Sequence, residues 1–216
     1  MSRPTLAATM KTRVKICGIT NVADALAAAE AGADMIGLMF YEGSPRHVTV
    51  AQAVEISRAL PPFVLRVGVF VNPAEAFVAR ALGDCDLSLL QFHGDEESDF
   101  CTQFGLMSLK AFRIRDAASL DALPNYATDA YLLDAYSPEA RGGTGEKFNW
   151  DLAVEAQKFG KPIFLAGGLT PENVEAAVKK VRPFAVDVSS GVESAPGKKD
   201  PAKVRSFIEA ARRGSA

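Results

Sequence analysis

The stretch Arg13-Val14-Lys15-Ile16-Cys17-Gly18-Ile19-Thr20 places a thiol at the end of a short apolar strand, directly before a glycine and the start of a helix. Apolar side chains alternate along it with Arg13, Lys15 and Cys17 at the two-residue period of a strand, so the thiol shares a face with two cations. A neighbouring cation favours the thiolate, which is the reactive form of cysteine. A lone strand cysteine is more often a small core residue, and this stretch alone favours that role.

The same order of strand, turn and helix recurs down the whole chain. Strands are predicted at residues 13–17, 35–40, 65–71, 87–92, 106–112, 131–134, 162–166 and 184–188. Helices are predicted at residues 22–31, 49–60, from 72 onward, 97–104, 117–123, 150–159, 171–181 and 201–212. Strict alternation indicates a parallel sheet. Eight units favour a single (β/α)8 TIM barrel of the α/β class over a doubly wound open sheet, which usually has fewer units.

Composition limits the classes of function. The 216 residues are 48% hydrophobic with a formal net charge of -2, so the chain can bury a sizeable core and has no basic excess to attract nucleic acid or an anionic membrane. Cys17, Cys85 and Cys101 form no CxxC pair, which favours a reducing, cytoplasmic location. No apolar run reaches the roughly 20 residues of a membrane span. We expect residues 1–11 to form a flexible leader and residues 12–216 to form one catalytic barrel domain.

In a barrel of this kind the chemistry lies at the carboxyl ends of the strands. Among the residues at the predicted strand ends, those able to exchange protons are Cys17, His93 and Asp134. An unpaired carboxylate at the end of an apolar strand is costly, so Asp134 is either hydrogen-bonded structure or a working acid. His93 is an acid/base candidate, and a histidine packed at the strand end and held by the backbone is the equal alternative.

Two glycine-bearing loops follow the last two strands, Gly167-Gly168 after strand 7 and Ser190-Gly191 after strand 8. Many barrels bind phosphate at these two places through backbone N–H groups, so we interpret the loops as a phosphate site, with ordinary turn glycines as the alternative. Arg46, in the loop after strand 2, has a planar guanidinium suited to bidentate binding of a carboxylate. Taken alone, a solvated loop arginine is the better interpretation of Arg46.

Lys15 and Asp187 lie one step deeper than the ends of the neighbouring strands 1 and 8, so we predict that they form an ion pair beneath the site. Lys15 as a Schiff-base nucleophile is a weaker interpretation. The segment 135–149 contains Gly142-Gly143-Thr144-Gly145, which lacks the spacing of a nucleotide-binding loop, and we interpret the segment as a lid. The histidines and carboxylates show no metal-ligand spacing, so no metal site is expected.

Several motifs together strongly resemble the phosphoribosylanthranilate isomerase family of tryptophan biosynthesis. They are VKICGIT at 14–20, GLMFYEGSPRHV at 37–48, VGVFVN at 67–72, QFHGD at 91–95, LLD at 132–134, GGTG at 142–145, FLAGGLTPEN at 164–173 and VDVSSGVE at 186–193. The first and last motifs are highly specific, and the set covers essentially the whole predicted barrel. Phe92, which stands where the family commonly has an aliphatic residue, is a minor departure.

The resemblance implies an isomerase that converts N-(5-phosphoribosyl)anthranilate to 1-(2-carboxyphenylamino)-1-deoxyribulose 5-phosphate by an Amadori rearrangement. It implies that Cys17 is the general base and Asp134 the general acid. It also implies that Arg46 holds the anthranilate carboxylate and that the glycines of loops 7 and 8 hold the phosphate; we add His93 to the substrate-binding residues. No cofactor is implied, because the iminium formed from the substrate's own amine serves as the electron sink.

Two other functions stay open from the residues alone. The phosphate loops also fit another phosphopentose-handling barrel enzyme, such as a metal-dependent epimerase, or a non-catalytic phosphosugar-binding barrel. The missing metal ligands count against the epimerase, and the presence of both Cys17 and Asp134 counts against the binding protein. Besides a small phosphorylated substrate we expect no nucleic-acid or membrane partner, and we expect a monomer rather than a dimer.

Overall fold

The predicted barrel is present in the computed structural model, which describes residues 11–135 and 150–215. Within these residues eight parallel strands close into a barrel in the order of the chain. The strands are β1 Arg13–Cys17, β2 Met35–Met39, β3 Leu65–Phe70, β4 Leu89–Phe92, β5 Ser108–Ile114, β6 Ala130–Ala135, β7 Ile163–Leu165 and β8 Ala185–Val188. The predicted fold class is therefore confirmed.

Alternation along the strands sorts the buried apolar side chains into two layers. One layer, which includes Cys17, Met35 and Leu132, fills the inside of the barrel. The other, which includes Ile36 and Leu133, packs between the strands and the surrounding helices. Cys17 thus lies on the inner face of the barrel.

The outer layer of the described residues contains seven α-helices. They are α1 Val22–Ala31, α2 Val50–Ala59, α3 Glu75–Cys85, α4 Ser98–Thr102, α5 Trp150–Ala156, α6 Val174–Val181 and α7 Pro201–Gly214. The Asn21 side chain accepts the N–H of Asp24 at the start of α1, and Gly32 ends that helix in the left-handed conformation, both as predicted. Thr49 caps α2, also as predicted.

Three predicted helix positions are wrong. Residues 117–123 form two short 3₁₀ turns, Ala117–Leu120 and Leu123–Asn125, because Pro124 lacks the backbone donor that a continuing α-helix would need. The helix predicted from residue 171 begins only at Val174, since the Asn173 side chain accepts the N–H of Thr170 and holds the intervening residues in a turn. Helix α3 likewise begins later than Asn72-Pro73, at Glu75.

A small antiparallel hairpin, β9 Glu193–Ala195 and β10 Lys198–Lys199, follows β8 and was not predicted. Apart from Lys11 and Ala135, the predicted leader at 1–11 and the predicted lid at 135–149 lie outside the described residues. In the part of the chain that the structure describes, no helix is long and apolar enough to cross a membrane.

Candidate active site

A cavity of about 260 Å³ opens at the carboxyl ends of the barrel strands. All the site residues predicted from the sequence line it: Cys17, Arg46, His93, Asp134, Gly167, Gly168, Ser190 and Gly191. The remaining lining residues are Gly18, Met39, Ser44, Gln91, Ala166, Leu169, Asp187, Val188 and Ser189. The fold therefore brings a thiol, a carboxyl group, an imidazole and two glycine loops to one opening.

Cys17 ends β1 with 6% of its surface exposed. Burial raises the pKa of its thiol above the ordinary value. Lys15 opposes that rise through its charge and a hydrogen bond, Lys199 opposes it weakly, and the charge of Asp187 adds to it. Lys15 is therefore the group that most favours the thiolate form of Cys17.

The predicted ion pair between Lys15 and Asp187 is confirmed. The two residues face each other across the β1–β8 ladder, and Nζ of Lys15 lies 2.9 Å from Oδ1 of Asp187. Burial lowers the pKa of Lys15, but Asp187 and then Cys17 raise it by more, so the amine stays protonated. Because a protonated amine is not a nucleophile, nothing here supports the Schiff-base interpretation of Lys15.

Asp134 lies at the end of β6 and faces His93, which directly follows β4. Nε2 of His93 is 3.3 Å from Oδ2 of Asp134, with 22% and 32% of the two side chains exposed. On the other side of the ring, Nδ1 of His93 lies 3.0 Å from Nε2 of the buried Gln91. The imidazole therefore bridges two side chains of the cavity, rather than being held by the backbone as in the alternative interpretation.

Arg46 is held by a residue that the sequence did not predict. Its Nε and Nη2 donate to the two carboxylate oxygens of Glu193 at 2.8 and 2.7 Å. Lys199 donates to the same carboxylate at 2.9 Å. Burial raises the pKa of Glu193, but the hydrogen bonds from Arg46 and Lys199 outweigh burial and hold it below the ordinary value. One bidentate edge of Arg46 is thus filled by the protein itself, while Glu193 leaves Nη1 unengaged.

The two glycine loops present bare backbone to the cavity. Gly167 and Gly168 have φ angles of 80° and 65°, a conformation that glycine adopts without strain. A Cβ atom on Gly191 would meet the carbonyl oxygen of Leu169 at 2.0 Å, so the loops can approach each other only with glycine there. Within the described residues the N–H groups of Ser190 and Gly191 donate to no backbone carbonyl, as expected at the start of a helical turn.

Three residues of the site were not singled out from the sequence: Gln91, Glu193 and Lys199. Gln91 lies two residues from both Leu89 and His93, so the two-residue period of a strand places all three side chains on the same, inner face of the barrel. Glu193 lies 147 positions from Arg46 in the chain, and Lys199 enters on the unpredicted hairpin, so neither contact carries a sequence signal. Among residues 11–135 and 150–215, no three His, Cys, Asp or Glu side chains are grouped to hold a metal ion.

Comparison with known proteins identifies relatives of the chain. The sequence model of the family described as N-(5'phosphoribosyl)anthranilate (PRA) isomerase matches residues 14–210. A protein of Geobacter sulfurreducens named N-(5'-phosphoribosyl)anthranilate isomerase is 57% identical over 200 residues, which are 93% of this chain and 98% of that protein. One from Geobacter metallireducens is 56% identical over the same shares of the two chains.

Solved structures show the same likeness. The crystal structure of phosphoribosyl anthranilate isomerase from Thermotoga maritima has a TM-score of 0.87 and 43% identity, covering 93% of this chain and 98% of that one. A structure of such an isomerase in complex with reduced 1-(o-carboxyphenylamino)-1-deoxyribulose 5-phosphate has a TM-score of 0.84 and 40% identity over the same shares. Given the family match along most of its length and relatives above half identity, the chain belongs to the N-(5'-phosphoribosyl)anthranilate isomerase family.

Proposed function

We propose that the chain converts N-(5'-phosphoribosyl)anthranilate to 1-(2-carboxyphenylamino)-1-deoxyribulose 5-phosphate in tryptophan biosynthesis, with Asp134 as general acid and Cys17 as general base. The observation that carries the proposal is the meeting of a cation-supported thiol and an imidazole-bound carboxyl group in one cavity. Acid and base are the two groups that an aldose-to-ketose rearrangement requires.

In the proposed first step, protonated Asp134 donates to the furanose ring oxygen, the bond from that oxygen to C1′ breaks, and the anilino nitrogen forms an iminium ion with C1′. The iminium acidifies the hydrogen on C2′, which the Cys17 thiolate removes to give an enolamine. Protonation of C1′ and loss of the 2-hydroxyl proton complete the ketone, and solvent resets the acid and the base. Atoms and charge balance, and the substrate's own nitrogen serves as the electron sink.

The substrate's two anionic ends fit different groups of the cavity. The loops at Gly167-Gly168 and Ser190-Gly191 offer N–H groups without side chains in front of them, which suits a phosphate. Arg46 is fixed by Glu193 and keeps Nη1 for the anthranilate carboxylate. His93 lies 3.3 Å from the carboxyl group of the proposed acid.

Kinetics of Cys17→Ser and Asp134→Asn test the proposal. Each substitution should lower kcat by about 10²–10⁴-fold with little change in KM, because each removes a proton-transfer group that acts in the transition state. Cys85→Ser and Asp121→Asn are matched controls outside the cavity and should keep activity. Near wild-type activity in Cys17→Ser would exclude the thiolate mechanism.

Two further properties belong to the proposal. The three cysteines are all unpaired, which supports a reducing compartment such as the cytoplasm. We keep the monomer as the predicted form; one similar structure is described as monomers generated from a dimeric isomerase of Thermotoga maritima, so both forms occur among the relatives. Sedimentation equilibrium of the purified chain measures which form this protein adopts.

A further inference from the structure

Three side chains lie in contact in a row along one wall of the cavity: Gln91, His93 and Asp134. Nε2 of Gln91 lies 3.0 Å from Nδ1 of His93, and Nε2 of His93 lies 3.3 Å from Oδ2 of Asp134. Gln91 is 1% exposed, so water does not compete for its amide. The row connects a buried neutral amide to the carboxyl group that we propose as the acid.

The donor at the start of the row decides where hydrogens lie along it. In the amide orientation of this structure Nε2 of Gln91 faces Nδ1 of His93, and since an amide nitrogen only donates, Nδ1 accepts with its lone pair in this orientation. A neutral imidazole carries one N–H, which is then on Nε2, the ring nitrogen that lies 3.3 Å from Oδ2 of Asp134. Since Oδ2 faces this N–H, a proton on the Asp134 carboxyl group belongs on Oδ1.

The buried amide of Gln91 adds little to the stability of the fold compared with an apolar side chain of the same length. Its Oε1 is buried and has no hydrogen-bond partner among the described residues. An unpaired buried polar atom costs about 1–3 kcal/mol, and an apolar side chain of the same length would avoid that cost. A buried amide held by one bond to an active-site imidazole indicates a role in positioning that bond.

We propose that Gln91 is a positioning residue that fixes His93 as the neutral Nε2–H tautomer, so that Asp134 carries its acidic proton on Oδ1, the oxygen that His93 does not occupy. The role of Asp134 in this inference rests on the proposed function. As the proton leaves Oδ1, negative charge develops on the carboxylate. The attraction between Nε2–H and Oδ2 then becomes charge-assisted and stronger, so the row stabilises the acid after it has acted.

Nitrogen NMR measures the tautomer directly. The chain has two histidines, His47 and His93, so protein labelled with ¹⁵N-histidine gives two sets of ring signals, and His47→Gln assigns them. At pH 8 a free imidazole is neutral. We expect His93 Nδ1 to resonate at the downfield position of an unprotonated ring nitrogen and Nε2 at that of an N–H. The reverse assignment in the wild-type protein would overturn the proposal.

Two substitutions of Gln91 separate positioning from filling of space. Gln91→Met keeps the length but cannot donate, so His93 should become a mixture of tautomers. Gln91→Glu keeps the shape but presents an acceptor, so Nδ1 should become protonated. The proposed role predicts that kcat falls in the order wild type, Met, Glu, with a loss of about tenfold or more for Glu. A merely structural role predicts that Glu, the closest in shape, is the better substitute.

The ring signals are read without substrate, so this test can fail independently of the proposed function. If the wild-type chain lacks isomerase activity, the proposed function fails while the tautomer is still measured. If activity is present and His93 keeps the same tautomer in both Gln91 variants, the positioning role is excluded. Should Gln91→Glu not fold, the tautomers of Gln91→Met decide the question alone.

Discussion

The two walls of the cavity are built on different principles. The wall formed by β1 and β8, which we term the base wall, consists of Cys17, Lys15 and Asp187, with full charges that are almost completely buried. The opposite wall, which we term the acid wall, consists of Gln91, His93 and Asp134, which are joined by one hydrogen bond and one 3.3 Å contact and are open to solvent at the outer end.

The difference follows from what each proposed group must do. A buried thiol resists losing its proton, and a fixed positive charge is the direct means of opposing that resistance. The cation must itself be buried, so it needs a carboxylate partner. An acid must instead hold a proton in one place and release it, for which hydrogen-bond direction suffices. Stability should therefore depend strongly on the base wall and weakly on the acid wall.

The largest stability loss is expected for Lys15→Met. The substitution leaves Asp187 as a buried carboxylate without its cation, which typically costs about 3–5 kcal/mol. Urea unfolding followed by circular dichroism measures the free energy of unfolding. The double variant Lys15→Met/Asp187→Asn removes both charges and should recover most of the loss.

Lys179→Met is the matched control, because it removes a lysine from an ion pair on the surface instead of a buried one. Its Nζ contacts Glu175 at 2.6 Å, but both side chains are substantially exposed, so the cost should stay within about 0.5 kcal/mol. Equal losses for Lys15→Met and Lys179→Met would mean that burial does not distinguish the base wall.

Gly37→Ala should have the next largest effect. Gly37 lies opposite Cys17 in the β1–β2 ladder, and a Cβ there would meet Sγ of Cys17 at 2.7 Å and Nζ of Lys15 at 3.1 Å. Crowding of this kind in a packed interior costs about 1–3 kcal/mol. Because the displaced atoms are the thiol and its supporting ammonium group, kcat should also fall. Steady-state kinetics beside the unfolding curve checks both effects, and wild-type kcat would show that the thiol position is not critical.

The sequence predicted the base wall better than the acid wall, and the reason is local. Cys17, Lys15 and Asp187 all lie on strands, where the two-residue period fixes the face and the parallel register fixes the neighbour. Their ion pair therefore follows from the strand pattern of the sequence. His93 and Asp134 lie at strand ends on β4 and β6, two strands apart, so no register relates them.

Contacts made through loops could not be predicted from the sequence for a different reason. Glu193 reaches Arg46 from a hairpin whose short strands have no distinctive period, so the sequence did not predict that Glu193 is the partner of Arg46. The helix predicted at 117–123 ends before Pro124, and the sequence up to that point gives no signal that separates an α-helix from the two 3₁₀ turns that the structure has at 117–125. The barrel itself was predictable because each of its eight units repeats the same signal.

The base wall should also affect the pH dependence of kcat/KM. In Lys15→Met/Asp187→Asn, loss of the lysine raises the pKa of Cys17 more than loss of the aspartate lowers it. The rise of kcat/KM with pH, which follows thiolate formation, should therefore move to higher pH. The other charged or titratable groups facing the thiol, Lys199, Arg46, His93 and Asp134, are unchanged in this variant.

A second buried pair provides the control for this shift. Nζ of Lys110 lies 3.1 Å from Glu96, and both side chains are 3% exposed, but Lys110 is on the outer face of β5. Lys110→Met/Glu96→Gln should leave the pH profile in place. Alkylation of Cys17 by iodoacetamide, followed by mass spectrometry, reports the same shift directly. Cys85 and Cys101 are 0% exposed and do not line the cavity, so the reagent reaches only Cys17. An unmoved profile in the Lys15 double variant would contradict the base-wall role.

The smallest stability change is expected on the acid wall, for His93→Asn. The imidazole and Asp134 are both partly solvated, so losing their 3.3 Å contact should cost less than about 1 kcal/mol. The same substitution removes the N–H that receives the charge developing on Asp134, so kcat should fall while the unfolding curve hardly moves. Measuring both on one preparation separates the walls: Lys15→Met alters stability first, and His93→Asn alters turnover first. A loss of several kcal/mol in His93→Asn would show that the acid wall contributes as much to the stability of the barrel as the buried ion pair does.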